Sequence, residues 1–355
     1  MKKQLIITSL LALSACSSTS GTIKSTIPEE IDGIKVYDYS ETKNCGMKGK
    51  DGDFIQKCDK KTGEFLNGIE YSRYDDKDEV REYINYYNNG WETKYISKKN
   101  GTIEYERNNK YAENNLKNYE IKSYFDNGNV ECEISGTDDL FLYDAVDYKS
   151  TCLYINGILS SETTMNRKDG TVQTVYDPKG NVIVKLTRPY TPNTKLTKDK
   201  GIEEGMVDKW TRYDANGNLF TGKATFYYRE EPETISGIDT YKNGKLDGEC
   251  RSFPSKKDEK KSSGFKEVDS EYKDGARVKQ KIIYKDNDSL ENIYVGDNRI
   301  TIIRHSDSDN VNVDCRYKGH DSQVSISGNA GKGFVELFEK DQTKSLCPDI
   351  SKFVK

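Results

Sequence analysis

Histidine is nearly absent from this chain: His305 and His320 are the only two among 355 residues. Imidazole is the commonest metal ligand and general base, so most of the sequence lacks the raw material for that chemistry. Catalytic phrases are missing as well. There is no Gly-x-Ser-x-Gly elbow, no His-Glu-x-x-His and no Gly-x-x-x-x-Gly-Lys-Ser/Thr loop. Gly328-Asn329-Ala330-Gly331-Lys332-Gly333 has the glycines of a phosphate loop at the wrong spacing. Asp214-Ala215-Asn216-Gly217-Asn218 starts like a calcium loop, but Leu219 and Thr225 stand where glycine and glutamate are needed. The expectation is a protein that is not an enzyme and holds no cofactor and no metal. Apolar residues make up only 34% of the chain and charged residues 32%, too little for a thick core. A net charge of -4 with both signs mixed offers no basic stripe, which excludes nucleic acid as a partner.

What the chain does have is tyrosine: 25, beside 11 phenylalanines. Such rings bury large areas while the phenol stays wet, which suits a thin antiparallel sheet. The tyrosines fall into a recurring phrase, best written Tyr241-Lys242-Asn243-Gly244-Lys245-Leu246-Asp247-Gly248. Asn-Gly between such runs signals a two-residue hairpin turn with positive φ at both positions. Looser copies place turns at Asn89-Gly90, Asn127-Gly128, Asn156-Gly157, Asn216-Gly217 and Asp274-Gly275, with another at Tyr176-Asp177-Pro178-Lys179-Gly180. Repetition at this spacing marks a repeat architecture. Between turns the runs alternate with period two, as in Asn129-Val130-Glu131-Cys132-Glu133-Ile134. Val80, Tyr83, Ile84 and Tyr87 also fit one face of a helix; the recurrence of the turn phrase favours a strand.

The expected fold is mainly β: an elongated, single-layer antiparallel sheet of successive hairpins with a terminal β-rich cap. Residues 31–69 form a first β segment, 70–286 the hairpin repeats and 287–355 the capping region, which covers an edge that would otherwise invite aggregation. Pro189 and Pro192 mark a break within the repeats, and the run from Lys256 reads as an exposed tip. Residues 1–16 read as an export signal, with Lys2 and Lys3 before an apolar stretch too short to span a bilayer. Leu13-Ser14-Ala15-Cys16 resembles the lipobox of bacterial lipoproteins. That resemblance implies lipidation of Cys16 and, with Ser17 next, anchoring at the outer membrane. Residues 17–30 are a polar tether.

Outside the cytoplasm, cysteines are most simply paired. Proximity favours Cys45 with Cys58, Cys132 with Cys152 and Cys315 with Cys347, leaving Cys250 over; spacing alone leaves the connectivity open. The aromatic-x-Asn-Gly-x-Leu-x-Gly phrase at 241–248, with its weaker copies over 68–275, resembles the MORN repeat, and more closely the bacterial MORN-variant proteins. The resemblance implies a non-catalytic binding protein. Some relatives of that kind are antitoxin or immunity proteins, and MORN proteins have been linked to phospholipids. Two roles are therefore expected: an envelope lipoprotein that binds a protein partner, such as a toxin acting in the periplasm, or a structural or surface lipoprotein contacting peptidoglycan or host ligands.

Overall fold

The structure is a computed structural model that describes residues 27–48, 54–76, 79–112, 116–140, 144–190, 209–259, 264–295, 298–306, 311–316 and 323–326. It opens with β1 (Glu30–Ile31), β2 (Ile34–Asp38), a 3-10 turn (Tyr39–Glu41), and the hairpin β3 (Thr42–Lys48) and β4 (Phe54–Asp59). A long meander follows: β5 (Gly68–Asp76), β6 (Glu79–Asn88), β7 (Trp91–Lys99), β8 (Thr102–Tyr111), β9 (Leu116–Tyr124) and β10 (Val130–Asp139). It continues through β11 (Asp144–Leu153), β12 (Leu159–Asn166), β13 (Gly170–Tyr176), β14 (Val182–Arg188) and β15 (Thr211–Tyr213). A second meander runs through β16 (Gly222–Tyr227), β17 (Ile235–Lys242), β18 (Lys245–Leu246), β19 (Gly248–Ser252), α1 (Lys256–Glu259), β20 (Phe265–Lys273) and β21 (Ala276–Tyr284). It ends in β22 (Ser289–Val295), β23 (Asn298–Arg304), β24 (Val311–Arg316) and β25 (Gln323–Ile326).

The fold is mainly β, built of long antiparallel sheets of successive hairpins that do not close into a barrel. One sheet has 13 strands from β1 to β15, and the other has 10 from β16 to β25. The sheet-end strands β1, β15 and β25 are two, three and four residues long. β16, the remaining one, packs against β14. The stretch around Val80 and Tyr87 is strand β6, because both of its faces find partners. Ile84 joins Ile69, Tyr71, Ile96 and Val36 in a core cluster, while Tyr83 points to the opposite face. Val36 reaches that cluster because β2 pairs in parallel with β5.

Three two-residue turns share one backbone latch. Asn89-Gly90, Asn243-Gly244 and Asp274-Gly275 each have positive φ at both residues. In each, the glycine N–H donates to the carbonyl of an upstream apolar residue: Leu66 (2.9 Å), Phe220 (2.9 Å) and Leu246 (2.8 Å). The N–H before it donates to the next side chain along: Asn67 (2.7 Å), Thr221 (3.0 Å) and Asp247 (3.1 Å). A glycine then follows, Gly68, Gly222 or Gly248, directly opposite Tyr87, Tyr241 or Tyr272. The copies at 66–90 and 220–244 have equal length.

The turns at Asn127-Gly128, Asn156-Gly157 and Asn216-Gly217 are of a different kind from the two-residue type expected, since only the glycine has positive φ. Each loop is longer. Its first residue donates to the fifth, as Phe125 does to Asn129 (2.9 Å) and Tyr154 to Ile158 (2.7 Å), and the glycine N–H returns to the first carbonyl. The asparagine or a leading aspartate accepts from the residue two further on, an Asx turn. The 177–181 turn is built the same way.

Candidate functional site

Register assigns every side chain of the first sheet to one of two faces, and the two differ in chemistry. On one face Tyr83, Ser97, Tyr105 and Ser123 form a cross-strand row that leads to the directly opposed Cys132 and Cys152. Tyr95, Arg107, Ile121 and Ile134 form the next row. Tyr74 packs edge-on against Tyr83 at 5.8 Å, and Tyr95 against Tyr105 at 5.6 Å. Tyr74 is 64% exposed, whereas the other three are half-buried. Burial raises the phenol pKa of Tyr95 and Tyr105, so both stay neutral donors.

Arg107 is fixed at the flank of this tyrosine stripe. Its Nη2 donates to Glu92 Oε1 at 2.6 Å, and its guanidinium lies 5.6 Å from the Tyr95 ring. Asn109 also donates to Glu92 Oε1, at 2.8 Å, and Tyr111 donates to the Glu92 carbonyl at 2.9 Å while its ring meets Trp91. The cation therefore sits at a preset position beside the rings. Further along, the β3–β4 hairpin covers Glu70: Thr42 donates to the carboxylate, Lys57 Nζ lies at 3.1 Å and Tyr87 donates from 3.3 Å.

Among the described residues, the N-terminal segment covers the other face over the first strands. Across β8–β12 it carries two parallel rails of polar side chains. One rail is Lys110, Asn118, Thr137, Asp147 and Asn166, each opposite the next. The second, two residues along each strand, is Asn108, Glu120, Ser135, Lys149 and Thr164. They flank an open trough of about 570 Å³ whose floor is the backbone at Tyr119, Gly136, Tyr148 and Met165. Asn109, between Asn108 and Lys110, is buried on the tyrosine face and does not reach it. Asn118 accepts from Thr137 at 2.9 Å, and Asn166 binds within its own turn. Among the described residues, the remaining rail side chains have no hydrogen-bond or ion-pair partner. The adjacent row is different: Tyr124 donates to Glu106 (2.7 Å), Lys122 pairs with Glu133 (2.8 Å) and Tyr176 donates to Glu162 (2.8 Å).

Of the residues singled out from sequence, Cys45–Cys58 and Cys132–Cys152 are disulfides. Cys315 lies on β24, and Cys347 and Cys16 fall outside the described residues. Cys250 is a buried free thiol whose pKa burial pushes up to about 12, so it is neither a thiolate nor accessible. The second disulfide also meets the other sheet. Arg229 Nη1 lies 2.7 Å from Cys132 Sγ, its Nη2 pairs with Glu131 at 3.1 Å, and its carbonyl accepts from Ile155 N–H. Among the described residues, no three His, Cys, Asp or Glu side chains converge as a metal site requires. Sequence reading missed the rails, the stripe and the Glu70 cluster; the rails could have been found by writing β8–β12 in antiparallel register.

No family model and no curated protein matches the chain. Among solved structures it superposes on a chain of the Tc holotoxin pore of Photorhabdus luminescens, at 13% identity and a TM-score of 0.19. A second match is to a chain of the TcdB2–TccC3 structure, at 9% identity and a TM-score of 0.14. The alignments cover 77% and 78% of this chain but only 16% and 15% of those chains. At TM-scores this low, the likeness carries no argument about fold or function.

Proposed function

We propose that this chain is a non-catalytic envelope lipoprotein, held at the outer membrane through Cys16, that binds a protein partner through its repeat sheet. The observation that carries this reading is the tyrosine stripe at Tyr74, Tyr83, Tyr95 and Tyr105 with Arg107 locked beside it. Tyrosine and arginine dominate protein–protein hot spots, and a stripe preset by Glu92 meets its partner with little loss of side-chain freedom. Immunity against a toxin acting in the periplasm is the form of this role that the resemblance to MORN-variant proteins favours. The test is a pull-down from envelope and secreted fractions using the mature chain with Cys16→Ser, beside the same chain with Tyr74→Ser and Tyr83→Ser. A stoichiometric partner lost only from the stripe variant supports the reading, and a partner retained by it refutes the stripe as the interface. A second reading, contact with peptidoglycan as a structural or surface lipoprotein, draws support from the rails.

A further inference from the structure

We infer that the trough between the two rails binds an uncharged oligosaccharide bearing acetamido groups, laid across strands β8–β12. The inference rests on the cell-wall reading above and is independent of the protein partner. Four observations carry it. The rail side chains other than Asn118, Thr137 and Asn166 are unpaired, whereas the neighbouring row satisfies its phenols and ion pairs internally. Lys110 and Lys149 balance Glu120 and Asp147, so neither a polyanion nor a polycation finds an excess of opposite charge. All ten rail positions are polar, so the side chains that flank an incoming ligand offer it hydrogen bonds on both sides. The dimensions also fit a ribbon one sugar wide: five strands span roughly 19 Å, and positions two apart on a strand are about 7 Å from each other.

Short amide and hydroxyl side chains offer donors and acceptors to sugar hydroxyls from both sides. The Asn108 amide, with donor and acceptor in one plane, matches an acetamido group as a charged side chain would not. The trough is open and its rails are solvent-facing, so a ligand enters without displacing part of the fold.

The experiment is isothermal titration of the mature chain carrying Cys16→Ser with chitotetraose, cellotetraose and a polar tetrapeptide as probes. Chitotetraose should bind, cellotetraose about tenfold more weakly, and the peptide not at all. The exposed pair Asn108→Ala and Asp147→Ala should lower chitotetraose affinity by more than about tenfold. Lys122→Ala, one row away, should leave it unchanged, as should Tyr74→Ser and Tyr83→Ser. Circular dichroism of each variant checks that it folds. No binding of chitotetraose, binding undiminished in the rail variant, or equal binding of cellotetraose or peptide would overturn the inference. Loss of a protein partner in the stripe variant with sugar binding intact would leave it standing.

Discussion

The chain carries the same latch at 66–90 and at 220–244 and fills the space beneath it in opposite ways. In both, the turn glycine carbonyl accepts from a basic residue's N–H, Lys57 or Arg212 (2.9 Å each), whose own carbonyl accepts from Leu66 or Phe220. Beneath the first latch, position 70 is a glutamate held by Thr42, Lys57 and Tyr87. Beneath the second, Ala224 takes the equivalent place and packs with Tyr241, Leu246 and Cys250, while the Arg212 guanidinium lies 5.2 Å over the Tyr241 ring. The backbone geometry is therefore what repeats. The buried side chain is free to be a charge or a methyl, provided that a charge finds its partners.

The sharpest way to break this equivalence is Glu70→Ala. Lys57 and Glu70 side chains are only 17% and 6% exposed, so removing one partner strands the other, at a cost of about 3–5 kcal/mol. Adding Lys57→Met should recover most of that loss in urea unfolding, because an apolar filling is what the second copy already uses. Failure of the double variant to recover would mean that the ion pair, not the latch, organises the first copy.

Gly90→Ala and Gly244→Ala test the shared part. An added Cβ would sit 2.9 Å from the Lys57 or Arg212 carbonyl and equally close to Phe65 or Leu219, at φ of +78° and +77°. Each should cost about 3 kcal/mol, from left-handed strain plus overpacking. Gly101→Ala, at φ +81° with nothing within 4 Å, should show only the strain, about 1–2 kcal/mol. Equal losses at all three would show that the latch adds nothing to an ordinary tight turn.

A further contrast separates the two fillings by pH. Burial raises the Cys250 thiol from 9.0 to about 12, so its contribution is present below pH 9 and is lost as pH rises from 9 toward 12. Cys250→Ala should therefore lose less stability than the parent between pH 9 and 11. Native Cys250 should also resist alkylation at pH 8 until urea is added, with mass spectrometry as the readout.

Strands and hairpins were legible because turn chemistry is local: an Asn-Gly or Asp-Gly pair needs nothing distant to bend the chain. The distinction between two-residue and five-residue turns was legible at two of the four longer ones, where Asp177 and Asp214 stand at the head; Phe125 and Tyr154 head the other two and give no such sign. The latch was not, because it joins Leu66 to Gly90 and Phe220 to Gly244 across intervening strands of unrelated sequence. Glu70 offers no local sign of burial, since Lys57 and Thr42 reach it from another hairpin. The stripe and the rails depend on register, which bulges shift at Tyr86/Tyr87 and Thr137/Asp138. Reading alternation strand by strand shows two faces but not which residues meet across them.

The brevity of the terminal strands bears on what happens when many copies crowd together. An open sheet invites endless head-to-tail polymerisation, because each end strand presents free N–H and C=O groups to the next molecule. Among the described residues, β1, β15 and β25 offer two, three and four residues to a newcomer, and six-residue β16 is turned toward β14. A neighbour docking on one of these described ends gains only a few hydrogen bonds, so the described sheets offer little edge on which a polymer could grow.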